Sequence, residues 1–144
     1  MKRIPTLVFA FLACMPAAAF GREAKLVRYP HYHNGHVAFT YLGDIWTADE
    51  NGQNVKRLTV HKARDIYPRF SPDGKWIAFS SDRNGNLDVF IIPAEGGASK
   101  QLTFHSAEDT VLGWTPDSKA VLFASNRGEE IGRASCRERV YVLV

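Results

Sequence analysis

The side chains with the clearest chemical potential are histidines and aspartates that recur along the chain. His61 lies four residues before Asp65, and His105 lies four residues before Asp109. A carboxylate can orient an imidazole as a general base, so either pair could accept a proton from a substrate. The two pairs are 44 residues apart, however. Because a catalytic pair is needed once and a structural hydrogen bond is needed in every copy of a repeat, the recurrence favours a structural role.

Three further histidines, His31, His33 and His36, lie within six residues of one another. On an extended strand His31 and His33 would share one face, as ligands of a metal ion would need. A tetrahedral site also requires a fourth ligand or a supported open position, and no aspartate, glutamate or cysteine follows at a useful spacing. The sequence therefore favours solvent-facing histidines on a first strand, and predicts no metal site and no cofactor.

Other catalytic signatures do not occur in the sequence. The Gly-x-Ser-x-Gly elbow of serine hydrolases is missing. Gly96-Gly97 is not followed by a helical pattern, so no helix N-terminus would bind a phosphate there. We therefore predict that this chain holds no catalytic residue and is not itself an enzyme.

A repeat of about 44 residues positions these side chains. An earlier copy matches at an offset of 40, which predicts that four residues are missing from its first hairpin. A period in the forties is typical of four-stranded β-propeller blades. The matching segments are Arg57-Leu58-Thr59 with Gln101-Leu102-Thr103, Phe70-Ser71-Pro72-Asp73 with Trp114-Thr115-Pro116-Asp117, and Val37-Ala38-Phe39 with Ile77-Ala78-Phe79 and Val121-Leu122-Phe123.

Local signals within each copy agree with strands and tight turns. Ser71-Pro72-Asp73-Gly74 has proline where a turn needs its fixed φ and glycine where a left-handed conformation costs little. No sustained helical stripe follows residue 20. The fold class predicted is all-β, an incomplete β-propeller of about two and a half four-stranded blades, with copies at about 29–61, 67–105 and 109–128. The structural repeat positions are His61, Asp65, Pro72, Asp73, Gly74, His105, Asp109, Pro116 and Asp117.

The N-terminal residues have the three regions of a secretory signal peptide. Met1-Lys2-Arg3 is charged, the next residues are mostly apolar, and Ala17-Ala18-Ala19 is a small-residue cleavage site. This pattern predicts a signal peptide over residues 1–19 and export, with a retained anchor as the alternative. Lipidation of Cys14 is a second alternative, although Phe11 stands where leucine is preferred.

The C-terminal residues do not continue the repeat. Residues 130–140 resemble the in-frame translation of a sequencing-library adapter, so 129–144 is interpreted as a non-native tail on an incomplete gene, with a genuine surface tail as the alternative. Cys136 would leave with this tail and Cys14 with the signal peptide. The remaining partial propeller, residues 20–128, would then have no disulfide and no thiol chemistry.

The net charge of +3 does not indicate a nucleic-acid partner. Residues 23–128 hold twelve basic and twelve acidic side chains, and the excess comes from Lys2, Arg3 and Arg22. A phosphate-binding surface needs a cluster of uncompensated cations. We therefore expect no nucleic acid as a partner, and the short apolar run predicts no membrane span.

Residues 67–83, YPRFSPDGKWIAFSSDR, resemble the propeller repeat of periplasmic TolB-like proteins and of the N-terminal propeller of tricorn-like serine proteases. The repeat begins at about Tyr29, directly behind the predicted signal, whereas TolB-like proteins have a separate α/β domain first. The resemblance covers about residues 24–128. The segments most similar to the tricorn-like group are Gly43-Asp44-Ile45-Trp46, Pro93-Ala94-Glu95-Gly96-Gly97, Gln101-Leu102-Thr103-Phe104-His105 and Val111-Leu112-Gly113-Trp114-Thr115-Pro116-Asp117.

The resemblance implies the N-terminal propeller of an exported tricorn-like serine protease, in the periplasm or outside the cell. Such a propeller would guide or filter peptides toward helical, PDZ-like and catalytic regions downstream. The expected partners are peptides or proteins and the missing C-terminal domains of the same gene product. Two alternatives remain: a TolB-like binding propeller without an enzymatic domain, and the propeller of a prolyl oligopeptidase or dipeptidyl peptidase type hydrolase.

Overall fold

The computed structural model describes residues 26–127 and 138–144, and these residues form strands and turns without a helix. Within those ranges there is accordingly no helix of the length and apolarity that a membrane span requires. The predicted signal peptide with Cys14, and residues 129–137 with Cys136, lie outside the described residues. The strands are β1 Arg28–His33, β2 His36–Tyr41, β3 Asp44–Asp49, β4 Lys56–Arg57, β5 Asp65–Phe70, β6 Trp76–Ser81, β7 Asp88–Pro93, β8 Lys100–Gln101, β9 Asp109–Trp114, β10 Ala120–Ser125 and β11 Glu138–Leu143.

The strands form three antiparallel sheets in chain order. Strands β1 to β4 make blade 1, β5 to β8 make blade 2, and β9 to β11 make blade 3. Within each blade, every strand pairs with the next along the chain, because short turns allow antiparallel neighbours to meet directly. The prediction of an all-β, incomplete β-propeller is confirmed.

Strand β11 lies in the segment that the sequence analysis interprets as a tail. It pairs with β10 over six residues, from Ala120 opposite Leu143 to Ser125 opposite Glu138. Strand β7 pairs with β6 in the same antiparallel manner, from Trp76 opposite Pro93. The backbone of β11 therefore takes the third-strand position of blade 3, and the non-native origin of residues 129–144 stays a prediction.

Blade 1 is shorter than blade 2 in two hairpins. Its β2–β3 turn has two residues between strands, 42–43, where blade 2 has 82–87. Its β1–β2 turn is 34–35, where blade 2 has 71–75. The prediction that the four-residue shortening lies in the first hairpin is therefore wrong: it lies in the second, and the first is shortened separately.

Two apolar clusters hold the blades together. One lies between blades 1 and 2 around Phe79, and the other lies between blades 2 and 3 around Phe123. Because side chains alternate along a strand, β7 contributes Ile92 to the first cluster and Ile91 to the second. Full burial of each such side chain stabilises the fold by about 1.5–3 kcal/mol.

Candidate ligand cavity between the first two blades

The predicted turn residues occupy matching settings in blades 2 and 3. Asp73 and Asp117 each accept a hydrogen bond at 2.6 Å from a hydroxyl two residues earlier, that of Ser71 or Thr115, and one at 3.2 Å from the backbone N–H two residues later. These bonds, the hydroxyl bond first, hold the pKa of both aspartates below the usual range. Both turns therefore carry a carboxylate at neutral pH.

The prolines and the glycine of these turns determine the shape of the turn backbone. Pro72 and Pro116 are exposed at the turn tips. Gly74 has a φ of +72°, and Ser118, its counterpart in blade 3, has a φ of +60°. The Ser118 hydroxyl accepts a hydrogen bond from the Asp73 backbone N–H at 3.1 Å. The two turns therefore contact each other across the interface between blades.

Asp65 and Asp109 are buried and paired with arginines. Asp65 accepts a hydrogen bond from Arg83 at 2.7 Å, and Asp109 accepts one from Arg127. Both carboxylates have no exposed surface. Each arginine comes 18 residues after its aspartate, two residues beyond the second strand of the same blade.

His61 and His105 have the same backbone partner in their two copies. The N–H of Ala63 donates to His61 Nδ1, and the N–H of Ala107 donates to His105 Nδ1, each at 3.0 Å. Both imidazoles are exposed. They therefore shape the connections between blades, while the aspartates four residues later are held by arginines.

Asp44 and Asp88 match at the 44-residue offset, but the sequence did not predict that they form a second set of buried carboxylates. Arg57 donates to Asp44 at 2.5 Å, whereas Gln101 takes its place beside Asp88 and donates at 3.0 Å. Burial raises the pKa of Asp88. The match of Arg57 with Gln101 at the 44-residue offset was the available signal, but their carboxylate partners lie on another strand.

Two of the three clustered histidines contact Phe70, and the third pairs with an aspartate. His31 Nδ1 accepts a hydrogen bond from the Phe70 backbone N–H at 3.1 Å, and the His33 ring lies 5.7 Å from the Phe70 ring. His36 Nδ1 lies 3.2 Å from Asp49 Oδ1. Among the residues that the structure describes, no three histidine, cysteine, aspartate or glutamate side chains are grouped to hold a metal ion.

The contact of His31 predicts a pH dependence of stability. Burial, followed by the charge of Arg69, lowers the pKa of His31 below 6.5. The unfolded chain then binds the proton more readily, so this contribution to stability is complete above about pH 6.5 and is lost as the pH falls below it. His31→Asn, which keeps an acceptor near the Nδ1 position without titrating, should reduce the loss. Urea unfolding of both proteins at pH 7.5 and 5.5 measures it, and equal losses would contradict the assignment.

A cavity of about 420 Å³ lies between blades 1 and 2, beside the β1–β2 and β5–β6 turns. Phe70 and Ala48, both nearly buried, line its apolar part. Asp73 and Gly74 are predicted repeat positions, and their place in the cavity lining is not evident from the sequence. The ionisable lining residues are His33, His36, Asp49, Lys56, Asp73 and Glu95.

Gly74 permits the close approach of the two blades at this cavity. A Cβ atom there would lie 3.1 Å from His33 Nε2. Gly74→Ala should therefore lose roughly 1–2 kcal/mol through its positive φ, and more through contact with His33. Gly52→Ala is the matched control, because Gly52 has a φ of +76° and nothing within 4 Å of an added Cβ. Urea unfolding should show the larger loss for Gly74→Ala, and equal losses would show that the His33 contact costs nothing.

A protein-family model and a known relative both match this chain. Residues 24–142 match the model of the tricorn protease N-terminal β-propeller domain. Tricorn protease homolog 1 of Streptomyces coelicolor is 39% identical over 71 residues, which are 49% of this chain and 7% of that relative. The chain thus spans a small part of the relative's length.

Two solved structures share the fold. The tricorn protease structure superposes with a TM-score of 0.61 at 23% identity, over 69% of this chain and 11% of that one. A putative TolB from Agrobacterium tumefaciens superposes with a TM-score of 0.61 at 21% identity, over 78% of this chain and 44% of that one. At these identities the two structures support the fold alone.

Proposed function

Since the chain belongs to the family of tricorn protease N-terminal β-propeller domains, we propose that it guides or filters peptides for an exported tricorn-like serine peptidase. The match over residues 24–142 carries this proposal. Catalysis would reside in C-terminal domains of the same gene product, which are the expected intramolecular partners. Peptides or unfolded proteins are the expected substrates of the whole.

The hydrogen bonds of the polar side chains support a non-catalytic role for this part of the protein. His61 Nδ1 and His105 Nδ1 each accept a backbone hydrogen bond, so neither atom is free to take a proton from a nucleophile. The buried Ser80 hydroxyl accepts a hydrogen bond from the Val111 backbone N–H. These groups already form hydrogen bonds within the blades or between them.

Export to the periplasm or the cell exterior is part of the proposal. The charged, apolar and small-residue regions of residues 1–19 support it. The resemblance of residues 67–83 to the repeat of TolB-like proteins favours a second candidate function, a periplasmic propeller that binds proteins without an enzymatic domain. The uninterrupted gene separates the two, because a serine peptidase domain downstream would exclude the second.

A cleavage assay tests whether catalysis resides in the C-terminal domains and not in this chain. The 144-residue chain and the product of the uninterrupted gene are incubated with unstructured peptides, and cleavage is followed by mass spectrometry. We expect cleavage by the longer product alone. Cleavage by the 144-residue chain that disappears in its His61→Ala or His105→Ala variant would overturn the proposal.

A further inference from the structure

The cavity between blades 1 and 2 exists because blade 1 departs from the repeat. The two blades share the register of their second and third strands, in which Ala38 faces Thr47 and Ala78 faces Ile91. Equivalent positions can therefore be compared one by one. The first interface has His36, Thr47 and Asp49 where the second has Trp76, Ile91 and Pro93.

The second interface shows how this fold fills these positions when packing alone is required. Ile91 is 1% exposed within the apolar cluster between blades 2 and 3, and Trp76 packs against that cluster. In blade 1 the smaller and polar Thr47 and His36 leave the space open. Packing does not account for polar residues at positions that blade 2 fills with apolar ones, and the open space that they border is available to a ligand.

The lining has an excess of negative charge. It includes three carboxylates, Asp49, Asp73 and Glu95, against the single lysine Lys56. Lys56 Nζ already donates a hydrogen bond to the Glu95 backbone carbonyl at 2.5 Å. Asp73 Oδ2 is 3.9 Å from the Lys75 ammonium, too far for a hydrogen bond. Asp49 already has partners, because its Oδ1 lies 3.2 Å from His36 Nδ1 and its Oδ2 accepts a hydrogen bond from Asn54 at 2.5 Å. A cation that entered the cavity would therefore pair first with Asp73 Oδ2 and would share Asp49, since a carboxylate has about four lone-pair sites.

We propose that this cavity binds the side chain of a lysine or arginine in a peptide, an inference that rests on the proposed function for the peptide itself. Such side chains combine an alkyl stem with a charged end. The stem would lie along Phe70 and Ala48, and the charged end would pair with Asp49 and Asp73. A volume of about 420 Å³ is within the usual range of ligand sites.

Other side chains fit the lining less well. An acidic side chain would be repelled by the carboxylates of Asp49 and Asp73. An apolar side chain would desolvate those carboxylates without supplying a partner, which costs free energy. The cavity therefore selects for positive charge.

Peptide binding to the 144-residue chain tests the selection. The probe is a short fluorescein-labelled peptide of glycine and serine with one central arginine, followed by fluorescence anisotropy. The matched probe has citrulline, which keeps the shape and removes the charge. We expect about tenfold weaker binding of the citrulline peptide, the size of a lost charge-assisted hydrogen bond, and no binding of a third peptide with glutamate.

Variants of the chain locate the site. Asp73→Asn should weaken binding of the arginine peptide by about tenfold. Asp117→Asn, the same change in the equivalent turn of blade 3, should leave binding unchanged and controls for loss of the turn. The pair Thr47→Ile and His36→Trp, which installs the packing residues of blade 2, should abolish binding. Its melting temperature should be equal or higher, so that loss of binding is not loss of folding.

The outcomes separate this inference from the function it rests on. Equal binding of the arginine and citrulline peptides overturns the charge selection and leaves peptide guiding in place. Unchanged binding by the double variant Thr47→Ile and His36→Trp shows that the peptide binds elsewhere. Binding of none of the three peptides overturns both the cavity assignment and the proposed peptide role of this chain.

Discussion

Replacing Asp65 with alanine should destabilise the protein by about 3–5 kcal/mol, because it leaves the nearly buried Arg83 guanidinium without its carboxylate and with only the Ser99 hydroxyl as a polar side-chain partner, at 2.8 Å. Asp65 has no exposed surface, and the side chain of Arg83 is only 16% exposed. Arg83 also lies over the rings of Phe79 and Phe90, with its guanidinium carbon 5.5 and 4.9 Å from their centroids. It cannot become fully hydrated without leaving those contacts. Urea unfolding followed by circular dichroism measures the loss.

Two further variants make this prediction decisive. Asp82→Ala removes a carboxylate from the exposed pair with Arg64, whose side chain is 70% exposed, and should cost much less. Asp65→Ala combined with Arg83→Met removes the orphaned charge as well and should recover part of the stability. If Asp65→Ala alone does not fold, recovery of a folded double variant still tests the mechanism. Equal losses for Asp65→Ala and Asp82→Ala would contradict it.

Phe79→Ala should also cost about 3–5 kcal/mol, because it opens a cavity in the cluster that joins blades 1 and 2. Phe79 has no exposed surface and stacks on Phe90 with a centroid distance of 5.7 Å. Its cluster includes Ile45 from blade 1, so the lost contacts cross the interface between blades. The free energy of unfolding should fall and the two blades should lose protection together in hydrogen exchange.

Phe104→Ala is the control for this change. Phe104 is 79% exposed, so the same truncation should alter stability by at most about 0.5 kcal/mol. A small effect of Phe79→Ala, close to that of Phe104→Ala, would show that the cluster does not hold the blades together.

The sequence by itself determined the repeat and the strand content of this protein. The turn Ser71-Pro72-Asp73-Gly74 and its copy at residues 115–118 are local signals, because φ preferences and hydrogen bonds two residues apart do not depend on the rest of the fold. The 44-residue period also predicts which strands are equivalent, as β5 and β9 are. A period of this kind can be detected in the sequence without any knowledge of long-range contacts.

Only the tertiary structure decided which side chains meet. The sequence places Asp65 four residues from His61, but the structure pairs Asp65 with Arg83 on the far side of a hairpin. The offset of 40 residues showed that blade 1 is shortened, and the strand pairs Ala38–Thr47 and Ala78–Ile91 place the shortening at residues 42–43.

The candidate cavity is the clearest case of this difference. His36 and Thr47 come from two strands of blade 1, and Asp73 comes from a turn of blade 2. Their juxtaposition depends on the register of β2 with β3 and on the packing of one blade against the next, both of which join residues distant in the chain. Departures from the repeat at these positions were visible in the sequence, but only packing revealed that they border one space, because a strand's pattern does not say what lies opposite its face.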